Sequence, residues 1–240
     1  MECLQIHELS KRFGREVIFD DVTIEARSGS IVSIVGLNGA GKSTLLNLCA
    51  AILSPNHGEV RIDGERLEHD RIDLRRRLAF LPDSVVGFGG WTPLRYAAIL
   101  ADLNEIDDPS FPDRFALHLD EMEALDLARK SLAFMSRGQI YKVALATILA
   151  LDPELWLFDE PFASGMDAVG LAYFDEEVRA AAARGRIILY STQLLRMAEG
   201  LATEAWIVHG KKVHRWVPGT QIEGGLAAAM QGLREASGRR

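Results

Sequence analysis

The sequence predicts an α/β fold, and three observations carry that prediction. An apolar, β-branched run, Ile31–Val35, leads into the glycine-rich segment Gly36-Leu37-Asn38-Gly39-Ala40-Gly41-Lys42-Ser43-Thr44 and then into a helical pattern. A second apolar run, Leu155–Phe158, ends in two acids, Asp159 and Glu160. Between them, from about residue 83 to 151, helical periodicity replaces the strand signal. With 240 residues, 48% of them hydrophobic, the chain can bury the core of one large α/β domain.

Taken in order, strand-like patterns cover residues 4–7, 17–24, 31–35, 59–62, 78–81, 155–158, 187–190 and 205–208. Asp63-Gly64 and Gly210-Lys211 are turn dipeptides suited to hairpins. After the glycine-rich segment, a helix places Leu45, Leu48, Cys49 and Ile52 on one face and stops at Ser54-Pro55. Thr92-Pro93 reads as an N-cap followed by proline at the first helical position, opening a helix over residues 94–103. Residues 107–110 form a linker and a second helical stretch covers about 112–125. A third helix follows over 139–151, and its apolar part, 143–151, is about half the ~20 residues needed to cross a bilayer, so a buried helix is expected. The tail after Pro218 has a weak helical pattern and a basic end, with no function assigned.

The net charge of −7 argues against general affinity for nucleic acid or anionic lipid. Arg75-Arg76-Arg77 reads as a solvated face rather than a binding site. Cys3 and Cys49 lack metal-ligand spacing and read as reduced thiols of a cytosolic protein. The amino-terminal residues carry a strand pattern, not a signal peptide.

Residues 36–43 match the phosphate-loop pattern G-x-x-x-x-G-K-[ST] in its proper context, after a strand and before a helix. Glycines let the backbone wind tightly so that its N–H groups face phosphates, and the helix N-terminus adds partial positive charge. Lys42 is expected to reach the β- and γ-phosphates and Ser43 to ligate Mg²⁺. The bland alternative is a glycine-rich loop without ligand. At Asp159 and Glu160 it is two acids capping a strand that Pro161 ends.

Ser136-Arg137-Gly138-Gln139 opens a helix 23 residues before Asp159, room for that helix, a turn at Asp152-Pro153 and a strand. Ser136 is a natural N-cap, so the segment alone says only that a helix starts there. Standing between the phosphate loop and the acidic strand, it resembles the signature of an ATP-binding-cassette (ABC) transporter ATPase. The resemblance covers residues 1–217. It implies a P-loop NTPase core with a mixed β-sheet (residues 1–82 and 152–217), an antiparallel β subdomain and an inserted α-helical subdomain over 83–151. Residues 218–240 are left as a tail.

In that family ATP is closed between two subunits. The resemblance therefore implies that the phosphate loop, with Gly36, Asn38, Gly39, Ala40, Gly41, Lys42, Ser43 and Thr44, holds ATP. Ser136, Gly138 and Gln139 meet the ATP of the opposite subunit, the Ser136 hydroxyl and Gly138 N–H at its γ-phosphate. Asp159 holds Mg²⁺ through water, and Glu160, expected on the other side of the strand's end, polarises the attacking water. Phe13, in a loop-like setting, stacks on adenine or else joins the core. Ser164-Gly165-Met166-Asp167 is similar to the D-loop, which crosses the dimer interface. Two positions depart from the family pattern. Asp83 stands at the Q-loop glutamine and could still ligate Mg²⁺. Gln193 stands at the switch histidine and cannot carry charge or shuttle a proton. Hydrolysis is expected to be retained but slow. Arg137 stands where the best-known form of the signature has glycine, a position where that motif tolerates variation.

Gly87-Phe88-Gly89-Gly90-Trp91 lies where the family borders a groove for a membrane subunit. Phe88 and Trp91 either dock that subunit or seal the insert's core. The implied partners are a separate polytopic transmembrane subunit and a second nucleotide-binding subunit, identical or not. The chain would be cytoplasmic on the inner face of the membrane, touching it only through its partner, and weakly exporter-like. Rival readings are a soluble regulatory or assembly ATPase and a pseudo-ATPase that only binds nucleotide.

Overall fold

The computed structural model describes residues 1–85, 88–219 and 225–238. Of the residues singled out above, Gly87 and part of the 218–240 tail lie outside that range. Two sheets and a helical insert make up the fold. The first half of the chain runs β1 (Cys3–Phe13), β2 (Glu16–Arg27), β3 (Ile31–Val35), α1 (Lys42–Cys49), β4 (His57–Ile62), β5 (Glu65–Arg66), α2 (Ile72–Arg75) and β6 (Leu78–Leu81). The insert follows with α3 (Pro93–Leu103), α4 (Phe111–Glu121) and α5 (Arg137–Leu151). Then come β7 (Leu155–Phe158), α6 (Ala168–Ala183), β8 (Ile187–Thr192), α7 (Leu195–Leu201), β9 (Glu204–His209), β10 (Lys212–Trp216) and α8 (Gly225–Gly238).

The six-stranded sheet has the order β10-β9-β3-β8-β7-β6, parallel throughout except for β10, which pairs antiparallel with β9. Strands β3, β7 and β8 are buried along their whole length. A parallel sheet covered on both faces needs such unbroken apolar runs, which is why these strands stand out in the sequence. The second sheet, β2-β1-β4-β5, is antiparallel. The expected mixed sheet, antiparallel sheet and helical insert are all present.

Both turn dipeptides make two-residue hairpins. Asp63 and Gly64 (φ 52° and 84°) join β4 to β5, and Gly210 and Lys211 (φ 58° and 65°) join β9 to β10. Positive φ at both central residues gives a turn whose twist matches the strands. Thr92 caps α3 by accepting from the Arg95 N–H at 3.3 Å. Phe111, Phe115, Leu119, Met122 and Tyr141 are buried together where α4 meets α5, and residues 143–150 of α5 are buried on every side. Among the described residues, no helix is long and apolar enough to cross a membrane.

Several boundaries differ from expectation. Helix α1 ends at Cys49, and Ala51 turns left-handed (φ 53°), so Ile52 leaves the apolar face and is exposed. Helix α4 ends at Glu121, and a short 3-10 turn takes up Leu125–Leu127. The basic triplet is not a free solvated face. Arg77 bridges Glu154 at 2.7 Å and Asp63, Arg76 pairs with Glu105 at 2.6 Å, and Arg75 donates to the His69 carbonyl at 2.9 Å. Cys49 is fully buried, which pushes its thiol up to about 12, out of reach of thiolate chemistry at neutral pH.

Candidate functional site

Strand β3 delivers the chain to the phosphate loop, and the glycines there are steric necessities. A Cβ on Gly36 would lie 2.8 Å from the Val208 carbonyl, and one on Gly41 (φ 106°) would lie 2.7 Å from Ile18 Cγ2. Lys42 opens α1 with its ammonium buried, donating to the Gly36 carbonyl at 3.2 Å and the Leu37 carbonyl at 3.5 Å. A buried cation held mainly by carbonyls of its own loop lies in a cradle shaped for an anion. Asn38, Gly39 and Ala40 line a cavity of about 280 Å³ with Glu16, Val17 and Ile18.

The two acids converge on this loop from the end of β7. Ser43 Oγ donates to Asp159 Oδ1 at 3.1 Å, so the hydroxyl and the carboxylate expected to share Mg²⁺ are already in contact. No group of three or more His, Cys, Asp or Glu side chains forms a metal site among the described residues. Mg²⁺ suits such a place, since it takes one or two protein ligands and completes its shell with phosphates and water. Glu160 does not face away, as strand alternation would require. The strand ends at Phe158, and Glu160 is left-handed (φ 48°, ψ 51°), which turns its carboxylate back to 3.6 Å from the Lys42 ammonium.

Gln193, just beyond β8, donates from Nε2 to Glu160 Oε1 at 3.3 Å, so the glutamine stands against that carboxylate. Ser191 joins the set without having been expected. Its hydroxyl donates to Asp159 Oδ1 at 2.5 Å and accepts from the Glu160 N–H at 2.8 Å, orienting both acids through one buried oxygen.

The signature segment lies on a different face. Ser136 and Gln139 form a reciprocal capping box at the start of α5: Gln139 N–H donates to Ser136 Oγ at 3.2 Å and Ser136 N–H to Gln139 Oε1 at 3.0 Å. Gly138 packs against the D-loop so closely that a Cβ there would meet the Gly165 carbonyl at 2.0 Å. Lys142, also unforeseen, is buried and ties this face together, donating to the Met122 carbonyl and to Asp167 Oδ2, both at 2.7 Å. Asp167 also caps α6 by accepting from the Gly170 N–H at 2.9 Å. Ser136, Gly138 and Gln139 line a cavity of about 280 Å³ with Gly165, Met166 and Asp167, and the phosphate loop contributes nothing to it. The phosphate loop and the signature segment thus line two separate cavities.

Phe13 ends β1 rather than sitting in a loop, and it is 47% exposed, so it is not a core residue. The Lys11 ammonium lies 5.0 Å from its ring centre, and across the hairpin Phe13 pairs with Glu16, at the rim of the cavity beside the loop. Asp83 is not directed to Ser43 and Asp159. Arg137 claims its carboxylate in an ion pair and its carbonyl at 3.0 Å. Phe88 lies between Trp91 (centroids 5.2 Å) and Tyr96 (5.1 Å), half-buried against the insert's core. It also lines an apolar groove of about 620 Å³ between β6 and the insert, so it both seals and borders.

The model of the family described as "ABC transporter" matches residues 19–163. The chain is 32% identical over 186 residues to the ATP-binding protein MlaF of the intermembrane phospholipid transport system of Haemophilus influenzae, covering 70% of this chain and 65% of that protein. It is 25% identical to the ABC-type transporter ATP-binding protein EcsA of Bacillus subtilis, over 89% of this chain and 86% of that one. A solved structure of the ATP-binding subunit of an ABC transporter superposes with TM-score 0.84 at 28% identity, covering 90% of each chain.

Proposed function

Because the chain belongs to the ABC transporter family, we propose that it is the ATP-binding and ATP-hydrolysing subunit of such a transporter and pairs with a second nucleotide-binding subunit. The observation that carries this is the convergence of Lys42, Ser43, Asp159 and Glu160 on the arch of residues 36–43, with Ser43–Asp159 at 3.1 Å and Lys42–Glu160 at 3.6 Å. The loop amides and Lys42 bind the phosphates of ATP, and Phe13 offers an exposed ring for adenine. Ser43 and Asp159 would hold Mg²⁺, which supplies charge neutralisation at the phosphates. Glu160 orients and deprotonates the attacking water, and Gln193 holds that carboxylate in place by a neutral hydrogen bond. Ser136, Gly138 and Gln139 complete the site of the other subunit. Closing the sandwich would move a separate polytopic membrane partner, seated on the groove by Phe88. The chain would lie on the cytoplasmic face, touching the membrane only through that partner.

Gln193 favours two alternatives, a slow regulatory ATPase and a nucleotide-binding pseudo-ATPase, because it cannot relay a proton. Steady-state hydrolysis separates the pseudo-ATPase, and co-purification with a polytopic membrane protein separates a transporter subunit from a regulatory ATPase. Wild type should turn over slowly, Gln193→His faster, and Glu160→Gln slower by about 10²–10⁴-fold with ATP binding intact. Equal rates for Glu160→Gln and wild type would remove Glu160 as the base. No turnover in any of the three, with the membrane partner present, would leave the pseudo-ATPase.

A further inference from the structure

Asp83, at the Q-loop position, and Arg137, inside the signature segment, touch each other. Fifty-four residues apart in sequence, they come from the exit of β6 and the first turn of α5. One guanidinium nitrogen, Nη2, donates to both the carboxylate and the carbonyl of Asp83, so the contact holds the backbone as well as the side chain. Each partner is about half exposed (50% and 48%), so the grip is open to water and exchangeable rather than locked in a core.

Its surroundings decide what such a grip is for. On one side, Pro82, Ser84 and Val85, which flank Asp83, line the apolar groove. A molecule filling that groove presses on the loop that carries Asp83. On the other side, Arg137 lies between Ser136 and Gly138, the two residues read above as facing a second subunit's nucleotide. One turn further along α5, the buried Tyr141 hydroxyl has no hydrogen-bond partner and lies in the field of Asp159 and Asp83. The start of α5 is thus poised against both the β6 exit and the metal-side acid.

We propose that the Asp83–Arg137 pair is a coupling strut, passing displacement of the groove-lining loop to the signature segment and setting how Ser136 and Gly138 are presented. Both are positioning residues, and Asp83 acts through Arg137 rather than through Mg²⁺. The proposal rests on reading residues 136–139 as the half-site for a second subunit's ATP.

Charge reversal separates the strut from a metal ligand. Asp83→Arg and Arg137→Asp are each expected to lower kcat for Mg-ATP about 5–20-fold while binding of a fluorescent ATP analogue to the phosphate loop stays within about twofold. The double variant Asp83→Arg/Arg137→Asp is expected to recover to within about threefold of wild type, with an unchanged Mg²⁺ requirement. A metal ligand turned into arginine cannot be rescued from position 137. The neutral pair Asp83→Asn and Arg137→Gln provides a milder cycle whose effects should be non-additive if the two act as one unit. Single reversals with wild-type kcat, a double variant no better than the worse single, or strictly additive neutral losses would each overturn the strut. Failure of the wild-type chain to bind the analogue, or to form an ATP-dependent dimer as Glu160→Gln, would instead sink the underlying reading of the site.

Discussion

Ser191 shows how much of this site hangs on one oxygen. Its hydroxyl bridges Asp159 Oδ1 and the Glu160 amide, so both acids are aimed by a side chain that need not touch substrate. Ser191→Ala is expected to lower kcat by about 10–100-fold with ATP affinity little changed, and to lower the unfolding midpoint, because the Glu160 N–H and Asp159 lose a buried partner. A stopped-flow or coupled ATPase assay beside a thermal melt checks this. An unchanged kcat would mean that Glu160 holds its left-handed turn unaided. Neither Ser191 nor Lys142 was legible in the sequence. Serine in an apolar strand and lysine in a helix have many innocuous explanations, and only tertiary contact shows the partners 32 and 25 residues away. The phosphate-loop residues, by contrast, were legible because their geometry is local: loop, lysine and helix start follow one another without a break. Glu160 was recognisable as an acid but not in its orientation, since alternation holds only while the strand continues.

At the scale of elements, a cap sharpened some helix starts but did not decide which helices were readable: α1 and α4 were legible without a side-chain cap, and α6, capped by Asp167, was not. Thr92-Pro93 and Ser136 announce α3 and α5 through residues whose side chains take up free N–H groups. Helix α6 is not among the expectations, although Phe174, Val178 and Ala181 mark a buried face and Asp175, Glu176, Glu177 and Arg179 stand between them. The tightest joint between elements is that of Gly138 and Gly165. Gly138→Ala would drive a methyl into the Gly165 carbonyl, 2.0 Å away, so the start of α5 or the D-loop must move. A destabilisation of about 1–3 kcal/mol is expected in urea titration, and on a Glu160→Gln background the ATP-dependent dimer should weaken or vanish by size-exclusion chromatography. A wild-type unfolding midpoint together with full dimerisation would show that the joint yields freely.

Across the whole molecule, Arg77 spans from the antiparallel sheet to the turn that enters β7, gripping Asp63 on one side and Glu154 on the other. The guanidinium holds the Glu154 carboxyl down at about 2, against an ordinary value of 4.5. A carboxylate depressed in the folded state stabilises it at pH values above the ordinary pKa, and that contribution is lost as the pH falls towards the folded value. The thermal midpoint should therefore drop between about pH 4.5 and 2, and Glu154→Gln should flatten that part of the curve while lowering stability near neutrality. A wild-type acid limb in Glu154→Gln would place the titrating group elsewhere. The overall architecture was legible because buried parallel strands advertise themselves. The long-range ion pairs were not, since Arg75-Arg76-Arg77 looks in sequence like any solvated basic run.

The tryptophans add something of another kind. Trp156 and Trp206 are wholly buried in the parallel sheet, while Trp91 alone sits in the helical insert, half-buried, with Phe88 on one side and Arg95 5.4 Å from its ring centre on the other. Phe88 is one of the residues lining the apolar groove and Trp91 packs behind it, so filling the groove is expected to reach this indole through Phe88. The chain carries its own optical gauge of that event, and emission from Trp91, isolated by replacing the other indoles with phenylalanine, would follow the arrival of a visitor in real time without a label.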